Sequence, residues 1–316
     1  MSTLALKGSS WVTVRQYRRT LWLVAGAVAF SLAVIGGLRI WAAQHPDVLL
    51  PDGSWAPSDE SHAYEVLRLA VEYAGTCLLL LPLLAGAFVA GPLVAREFES
   101  GTYRLALTQS VTPAVWLRAK VVTAGVVAVA AALALIGVYR LGWGHVSGTY
   151  PSGWGDRGTY EGTGIVLVGY VLAAVAVGTL VGQLVRRTLL AMSVTGLVVG
   201  LVMFVLGSLR WSLLGVETIT GPVSRATGPL LVPDGGLMMD TGLLTRDGHR
   251  IEQWSCYGPG DTPEECWAAK NVTGQYLDYH PQSHFWPTQL AETGILLALA
   301  ALALLAAFRV LRARHP

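Results

Sequence analysis

Residues 73–95 read YAGTCLLLLPLLAGAFVAGPLVA, 23 uncharged residues closed by Glu72 before and Arg96 after. A helix rises about 1.5 Å per residue, so roughly 20 apolar residues cross the ~30 Å hydrocarbon layer of a bilayer. Working outward, 19 uncharged residues lie between Arg19 and Arg39, 19 between Lys120 and Arg140, and 24 between Glu161 and Arg186. Another 22 lie between Arg187 and Arg210, and 16 between Glu292 and Arg309. These runs predict spans near 21–43, 73–95, 121–139, 163–185, 188–209 and 289–308. The strands of a membrane barrel alternate in polarity, so continuous apolar runs exclude one. Helices are what remains, since lipid offers no partner for backbone groups. The expected fold class is an all-α integral membrane protein with six transmembrane helices, one transmembrane domain over 1–316.

Composition agrees. The 316 residues are 53% hydrophobic and 13% charged, with mean hydropathy +0.50. A soluble domain carries about 25% charged residues, so a soluble enzyme is excluded, and a disordered chain would need less Leu, Val and Ala. A net charge of +2 leaves no global footprint for nucleic acid; the expected partner is a lipid membrane.

Lys and Arg set the orientation. With the N-terminus in the cytoplasm, segments 1–20, 96–120, 186–187 and 309–316 hold 13 basic residues, against eight in the longer segments 44–74, 140–162 and 210–288. Both termini are therefore expected inside. The first span is too long for a cleavable signal, and no small-residue cleavage site follows it. Trp11, Val14, Tyr17 and Leu21 recur at helical spacing, with Arg15, Arg18 and Arg19 on the other side. This reads as an N-terminal amphipathic helix on the inner leaflet or as a plain basic flank.

The loop 96–120 is the one inner segment with acids, Glu97 and Glu99. Gly101 is placed to stop a helix, and Thr112-Pro113 to start another. About two turns fit between them, near 103–110, either as a short cytoplasmic lever helix or as an ordinary hairpin. Outside, Pro57-Ser58-Asp59-Glu60 predicts a helix start and an interfacial helix over 60–72. The loop 210–288 is too long for a plain connector. It is expected to contain a hairpin turning at Asp247-Gly248, a broken stretch 210–235 that re-enters the membrane surface, and a sequon-like Asn271-Val272-Thr273. Cys256 and Cys266 share this loop, and an oxidising exterior permits their disulfide; Cys77 is expected as a packed apolar residue in the second span.

Catalytic and metal chemistry has little foothold. No phosphate-binding G-x-x-x-x-G-K-[ST], H-E-x-x-H or C-x-x-C pattern occurs, and none is expected to bind a cofactor or metal. His280 and His284 have metal-ligand spacing with Asp278 nearby, but Pro281 between them breaks the helix that spacing needs. Arg39 and Glu292, near the outer ends of spans, read as snorkelling anchors or as an outer-gate pair.

Three segments carry a resemblance. Arg96-Glu97-Phe98-Glu99-Ser100-Gly101-Thr102, followed by Arg104 and Leu105-Ala106-Leu107-Thr108-Gln109-Ser110, is similar to a signature of type-2 ABC exporter permeases, as is Trp116 to Lys120. Trp11 to Arg18 resembles the opening of actinobacterial members. Residues 279–292 resemble the approach to their last span, with His284 in place of the usual Arg. The resemblance implies a permease subunit in the plasma membrane of a bacterium, paired with a second copy or a paralogue. Two separate ATPase subunits would bind ATP and Mg. A coupling helix in the 96–112 region would engage them, with Arg96, Glu97, Glu99, Gly101, Thr102, Arg104 and Pro113 as coupling residues, and short outer helices would lie between the fifth and sixth spans, matching the broken stretch 210–235. Spans rich in Ala, Val, Leu and Gly favour an amphiphilic or hydrophobic cargo. A membrane sensor or assembly scaffold, with a ligand-binding outer loop, is the alternative; a membrane enzyme lacks a convergent set of catalytic groups.

Overall fold

The computed structural model describes residue 15 and residues 18–45, 62–103, 112–147, 153–224, 228–256 and 262–314. Trp11, Tyr17, Arg104 and the segment 104–111, where the lever helix is expected, lie outside them. Helix α1 runs Arg18–Gln44, and α2 runs His62–Ala85 into a π turn, Gly86–Ala90, and α3, Gly91–Ser100. Next come α4 (Pro113–Val146), the short α5 (Thr159–Thr163), α6 (Val166–Val185) and α7 (Thr188–Leu209). Strands β1 (Glu217–Pro222), β2 (Leu237–Thr245) and β3 (Arg250–Glu252) follow, then α8 (Pro263–Ala269), β4 (Val272–His280) and α9 (Phe285–Arg314). Among the described residues, six helices are long and apolar enough to cross a membrane. Five contain one of the charge-free runs whole, and Val166–Val185 lies inside the run 162–185.

The chain divides into two compact units: one of helices, and one of residues 153–155 and 211–288. In the helical unit α6 is the enclosed member. Its most apolar window is 78% buried, against 6% for α1. Small residues let backbones close on it. A Cβ on Gly178 would fall 2.5 Å from the Ala90 carbonyl carbon, in the π turn. That turn has a local cause: Pro92 has no N–H to give the preceding turn. The Gly91 N–H instead bonds the Gly86 carbonyl five residues back, the π pattern.

Two local expectations are corrected, while the helix read over 60–72 is present from His62 and leads directly into the second span. Residues 62–72 are continuous with that span. They are the first turns of α2, and Ala63, Leu67 and Val71 at four-residue spacing are buried on its packed face. Glu65, Arg68 and Glu72 pair on the other face. Cys77 lies off that inward stripe and is exposed, not packed. The stretch 210–235, matched to short outer helices, holds instead a 3-10 turn, Arg210–Ser212, and strand β1; the short helix between the fifth and sixth spans comes later, at Pro263–Ala269. The alternation Thr218, Ile219, Thr220 suits a strand, and β1 finds a long-range partner in β4.

The second unit holds a four-stranded antiparallel sheet, ordered β1-β4-β2-β3. The hairpin falls where Asp247-Gly248 placed it: Leu243 pairs with Ile251, and Gly248 takes φ 78°, which glycine adopts without strain. Helix α8 starts at a capping box between Thr262 and Glu265. Cys256 and Cys266 are joined, with Cα atoms 5.5 Å apart.

Candidate functional site

Charge inside this apolar helical unit is concentrated at its two ends, and each end builds a cluster. The first sits at the end where α1 begins and α9 finishes. Leu93, Val94 and Glu97 share the inward face of α3. Glu97 Oε1 accepts from Lys120 Nζ at 2.7 Å, and its Oε2 accepts from Trp116 Nε1 at 3.1 Å. Lys120 also donates to the Leu93 carbonyl at 3.5 Å and sits 5.5 Å from the Trp116 ring centroid. The pair is one carboxylate to one ammonium, with side chains 11% and 3% exposed. An acid and a base buried together this way are affordable only with their hydrogen bonds made.

Two residues on, Glu99 serves another helix. Its Oε2 accepts the Thr188 backbone N–H at 2.9 Å and the Thr188 hydroxyl, so it caps the N-terminus of α7, where an anion is favoured. Arg186, in the turn before α7, lies over the Phe98 ring at 5.6 Å. The α3 end and the α6–α7 turn are thus clasped together. Gly101 ends α3 in the left-handed conformation, φ 72°. Across the connection, Thr112 Oγ1 accepts from Val115 N at 3.3 Å, and Pro113 opens α4. The segment between these stops is framed by braced helices on both sides.

At the opposite end Arg210 meets two carboxylates. Its Nη2 donates to Glu161 Oε1 at 2.6 Å, and its Nε to Glu292 Oε2 at 2.8 Å. The Tyr170 hydroxyl donates to Glu292 Oε1 at 2.5 Å, and the Gly158 N–H to Glu161 Oε2 at 2.8 Å. The guanidinium lies 3.9 Å from the Tyr160 ring centroid. All three charged side chains are 3% exposed or less. Burial first, and the Glu292 carboxylate second, push the Tyr160 hydroxyl up and keep it neutral. Gln289, one turn before Glu292, accepts from Val166 N at 2.9 Å and donates to the Tyr160 carbonyl at 2.8 Å. Only glycine fits at 164, because a Cβ there would lie 2.0 Å from the Gln289 amide carbon. The arrangement holds four chain segments in fixed register and offers no open nucleophile–base geometry.

The structure sorts the residues read from sequence. Of the coupling set, Arg96 is exposed and Thr102 Oγ1 bonds Ser100 Oγ at 2.9 Å. Glu97 is buried against Lys120, while Glu99 stays exposed with its Oε2 on Thr188. Of the amphipathic set, Arg15 is exposed, while Arg18 and Arg19 form the first turn of α1. The outer-gate pairing is corrected. Arg39 donates to the Leu141 carbonyl, and the cation on Glu292 is Arg210. Sequence reasoning used Arg210 and Glu161 only as the ends of apolar runs; the available signal was Gln289 and Glu292, two polar residues three apart on one face of a span. His280 and His284 face each other, Nδ1 to Nδ1, at 3.0 Å. His280 Nε2 bonds the Trp211 carbonyl at 3.0 Å. Among the described residues no cluster of His, Cys, Asp and Glu could hold a metal.

Residues 54–210 match the model of a family described as ABC-2 membrane transporter related. No curated protein and no solved structure matches the chain.

Proposed function

We propose that this chain, which over residues 54–210 belongs to the ABC-2 membrane transporter related family, is the permease subunit of an ABC exporter. The coarser part of that reading, a multi-pass membrane subunit of an ABC transporter, follows from the family and the six apolar helices. The finer part is ours: both termini face the cytoplasm, and the segment 101–112 receives the force of a separate ATPase. One observation carries it. The α3–α4 connection is stopped at Gly101, restarted at Thr112-Pro113, and anchored by Glu97–Lys120 and Glu99–Thr188. A push on that connection would therefore move α3, α4 and α7 together rather than bend one loop. Two ATPase subunits would bind ATP and Mg beneath a pair of permeases, and closing them would open a path for an amphiphilic cargo away from the cytoplasm.

The test starts from the ATPase that leaves the membrane with this chain. In liposomes the permease should stimulate its ATP hydrolysis, and Arg96→Glu should cut that stimulation about tenfold, a change of ~1.4 kcal/mol, without altering assembly. Absence of any associated ATPase, or full stimulation by the variant, would sink the reading. Sidedness has its own check in a Cys77→Ala background. Asp247→Cys should react with an impermeant maleimide on intact cells and Arg312→Cys should not.

A further inference from the structure

The sheet unit holds a half-open crevice of about 270 Å³. Leu243 of β2 and Gln275 of β4 line it from the sheet. Gln253, which opens the 3-10 turn Gln253–Cys256, and Pro263 and Trp267 of α8 line it as well. The turn and α8 are tied together by the Cys256–Cys266 disulfide. Lys270, just past α8, adds a bond from its Nζ to the Ser255 carbonyl at 2.8 Å. These walls are braced before any ligand arrives, so binding needs little further ordering.

The lining states what would fit. None of its residues is charged, so the occupant is neutral. Val223, Pro229, Leu243, Pro263 and the Trp267 ring supply apolar surface, the usual body of a small-ligand site, with a few polar groups to orient the guest. Gln275 is buried, and its Nε2 donates to the Pro222 and Gly228 carbonyls at 3.0 and 2.9 Å. An amide nitrogen carries two hydrogens, so Gln275 has only its Oε1 left to offer, as an acceptor. Gln253 brings a second amide, half-buried. The Trp267 indole N–H is buried and has no acceptor among the described residues, an uncommon state for a buried donor. Apolar walls with one acceptor and spare donors are the complement of a peptide unit beside an aliphatic side chain. Size agrees. A cavity of ~150 Å³ takes benzene with its six carbons, so this crevice takes about eleven non-hydrogen atoms, one residue with its flanking amides.

We propose that the crevice is a peptide-binding site that takes one neutral aliphatic residue. The peptide N–H donates to Gln275 Oε1, and the peptide carbonyl accepts from the Gln253 amide. The side chain packs against Leu243, Pro263 and the Trp267 ring, and a turn of that ring lets its N–H share the same carbonyl. The site belongs to the sheet unit alone, so it stands whether or not the helices couple to an ATPase.

The test uses the full chain in nanodiscs with N-acetyl-leucinamide as the probe, read by saturation-transfer NMR against empty nanodiscs. At the per-atom efficiency of ordinary ligands, its roughly twelve non-hydrogen atoms predict a Kd of about 1 mM. Free leucine, a zwitterion, should bind at least about tenfold more weakly, because an uncharged crevice cannot pair its charges. Methylating the acetamide nitrogen of the probe removes the donor to Gln275 Oε1 and should also weaken binding about tenfold. That comparison uses the unmodified chain, so it does not depend on a variant folding. Gln253→Ala should raise Kd about fivefold, the worth of one hydrogen bond, and Trp267→Ala should abolish the signal. Equal signal from empty nanodiscs would overturn the proposal. So would methyl glucoside binding as tightly as the amide, which would make this a sugar site. An N-methylated probe that binds as well as its parent, or an unchanged Kd in Trp267→Ala, would do the same.

Discussion

The two ends of the helical unit bury charge by different rules. At the α1 end, one lysine meets one glutamate, and a tryptophan N–H takes the second carboxylate oxygen. At the other end, one arginine serves two glutamates, and tyrosine and backbone donors complete the shell. The first pair joins two helices and leaves the carboxylate 11% exposed; the second cluster is 3% exposed or less. The lesson is about consequence. Each carboxylate keeps one other donor, but removing Lys120 strands one carboxylate, whereas removing Arg210 strands two that are more deeply buried.

That contrast sets the scale of the variants. Arg210→Met should be the most damaging, costing about 3–5 kcal/mol, the range for breaking a buried ion pair from one side. It should be read as a large fall in the thermal midpoint of the detergent-solubilised chain. Adding Glu161→Gln and Glu292→Gln to it should recover most of the loss, because no buried charge is then left alone. Failure of that rescue would break the comparison. Lys120→Met should cost less, about 2–3 kcal/mol, since Trp116 still donates to Glu97. Glu97→Gln on top of it should bring the midpoint back.

Between the ends lies the π turn, where Gly178 meets Ala90. Gly178→Val puts methyl groups into backbone and should cost about 1–3 kcal/mol, the usual penalty of overpacking. The same midpoint measurement places it below Arg210→Met. Glu99→Gln weakens only the cap on α7 and should lower the midpoint less than Gly178→Val does. A loss as large as that of Lys120→Met would mean that Glu99 does more than cap.

The sequence made some of this legible and hid the rest for a physical reason. Charge-free runs reveal spans because lipid penalises every interruption, and each of the six apolar helices coincides with such a run over most of its length. Gly101, Thr112-Pro113 and Asp247-Gly248 are punctuation that acts locally, so each stands where it was read. Arg210, Glu161 and Glu292 are 49 and 82 residues removed from one another along the chain; each alone looks like the polar end of a span. Only the packing of α5, α6 and α9 turns them into partners. The sheet was hidden likewise. Its central strand β4 pairs with β1 and β2, both far back in the chain, and local alternation exposed just the β2–β3 hairpin. Glu97 and Glu99 were read as the marks of a coupling loop, and what the sequence could not show is that Glu97 is buried against Lys120 and Trp116 while Glu99, still exposed, reaches Thr188 at the start of α7.

The smallest effect lies outside the helices and turns on pH. His280 is buried in the sheet unit. Burial lowers its pKa below the ordinary 6.5, opposed by the bond to the Trp211 carbonyl and aided by His284 nearby. A group with a depressed folded-state pKa binds fewer protons in the native state, so acid works against the fold. The sheet should hold its full stability above about pH 6.5 and lose some as the pH falls from there to the lowered value, with no further loss from this residue below it. Asp278 acts later in the same direction. Burial raises its pKa, but the bonds from Thr218 and Arg250 outweigh that and hold it below 3.8. Its contribution is therefore complete above about pH 4 and fades only in stronger acid. Amide exchange of β4 in the whole chain, corrected for the intrinsic rate, should show protection falling between pH 7 and 5.5. His280→Gln should flatten that decline and leave the one below pH 4. A decline that survives the substitution would assign the mild-acid sensitivity to another group and remove His280 from the account of the sheet.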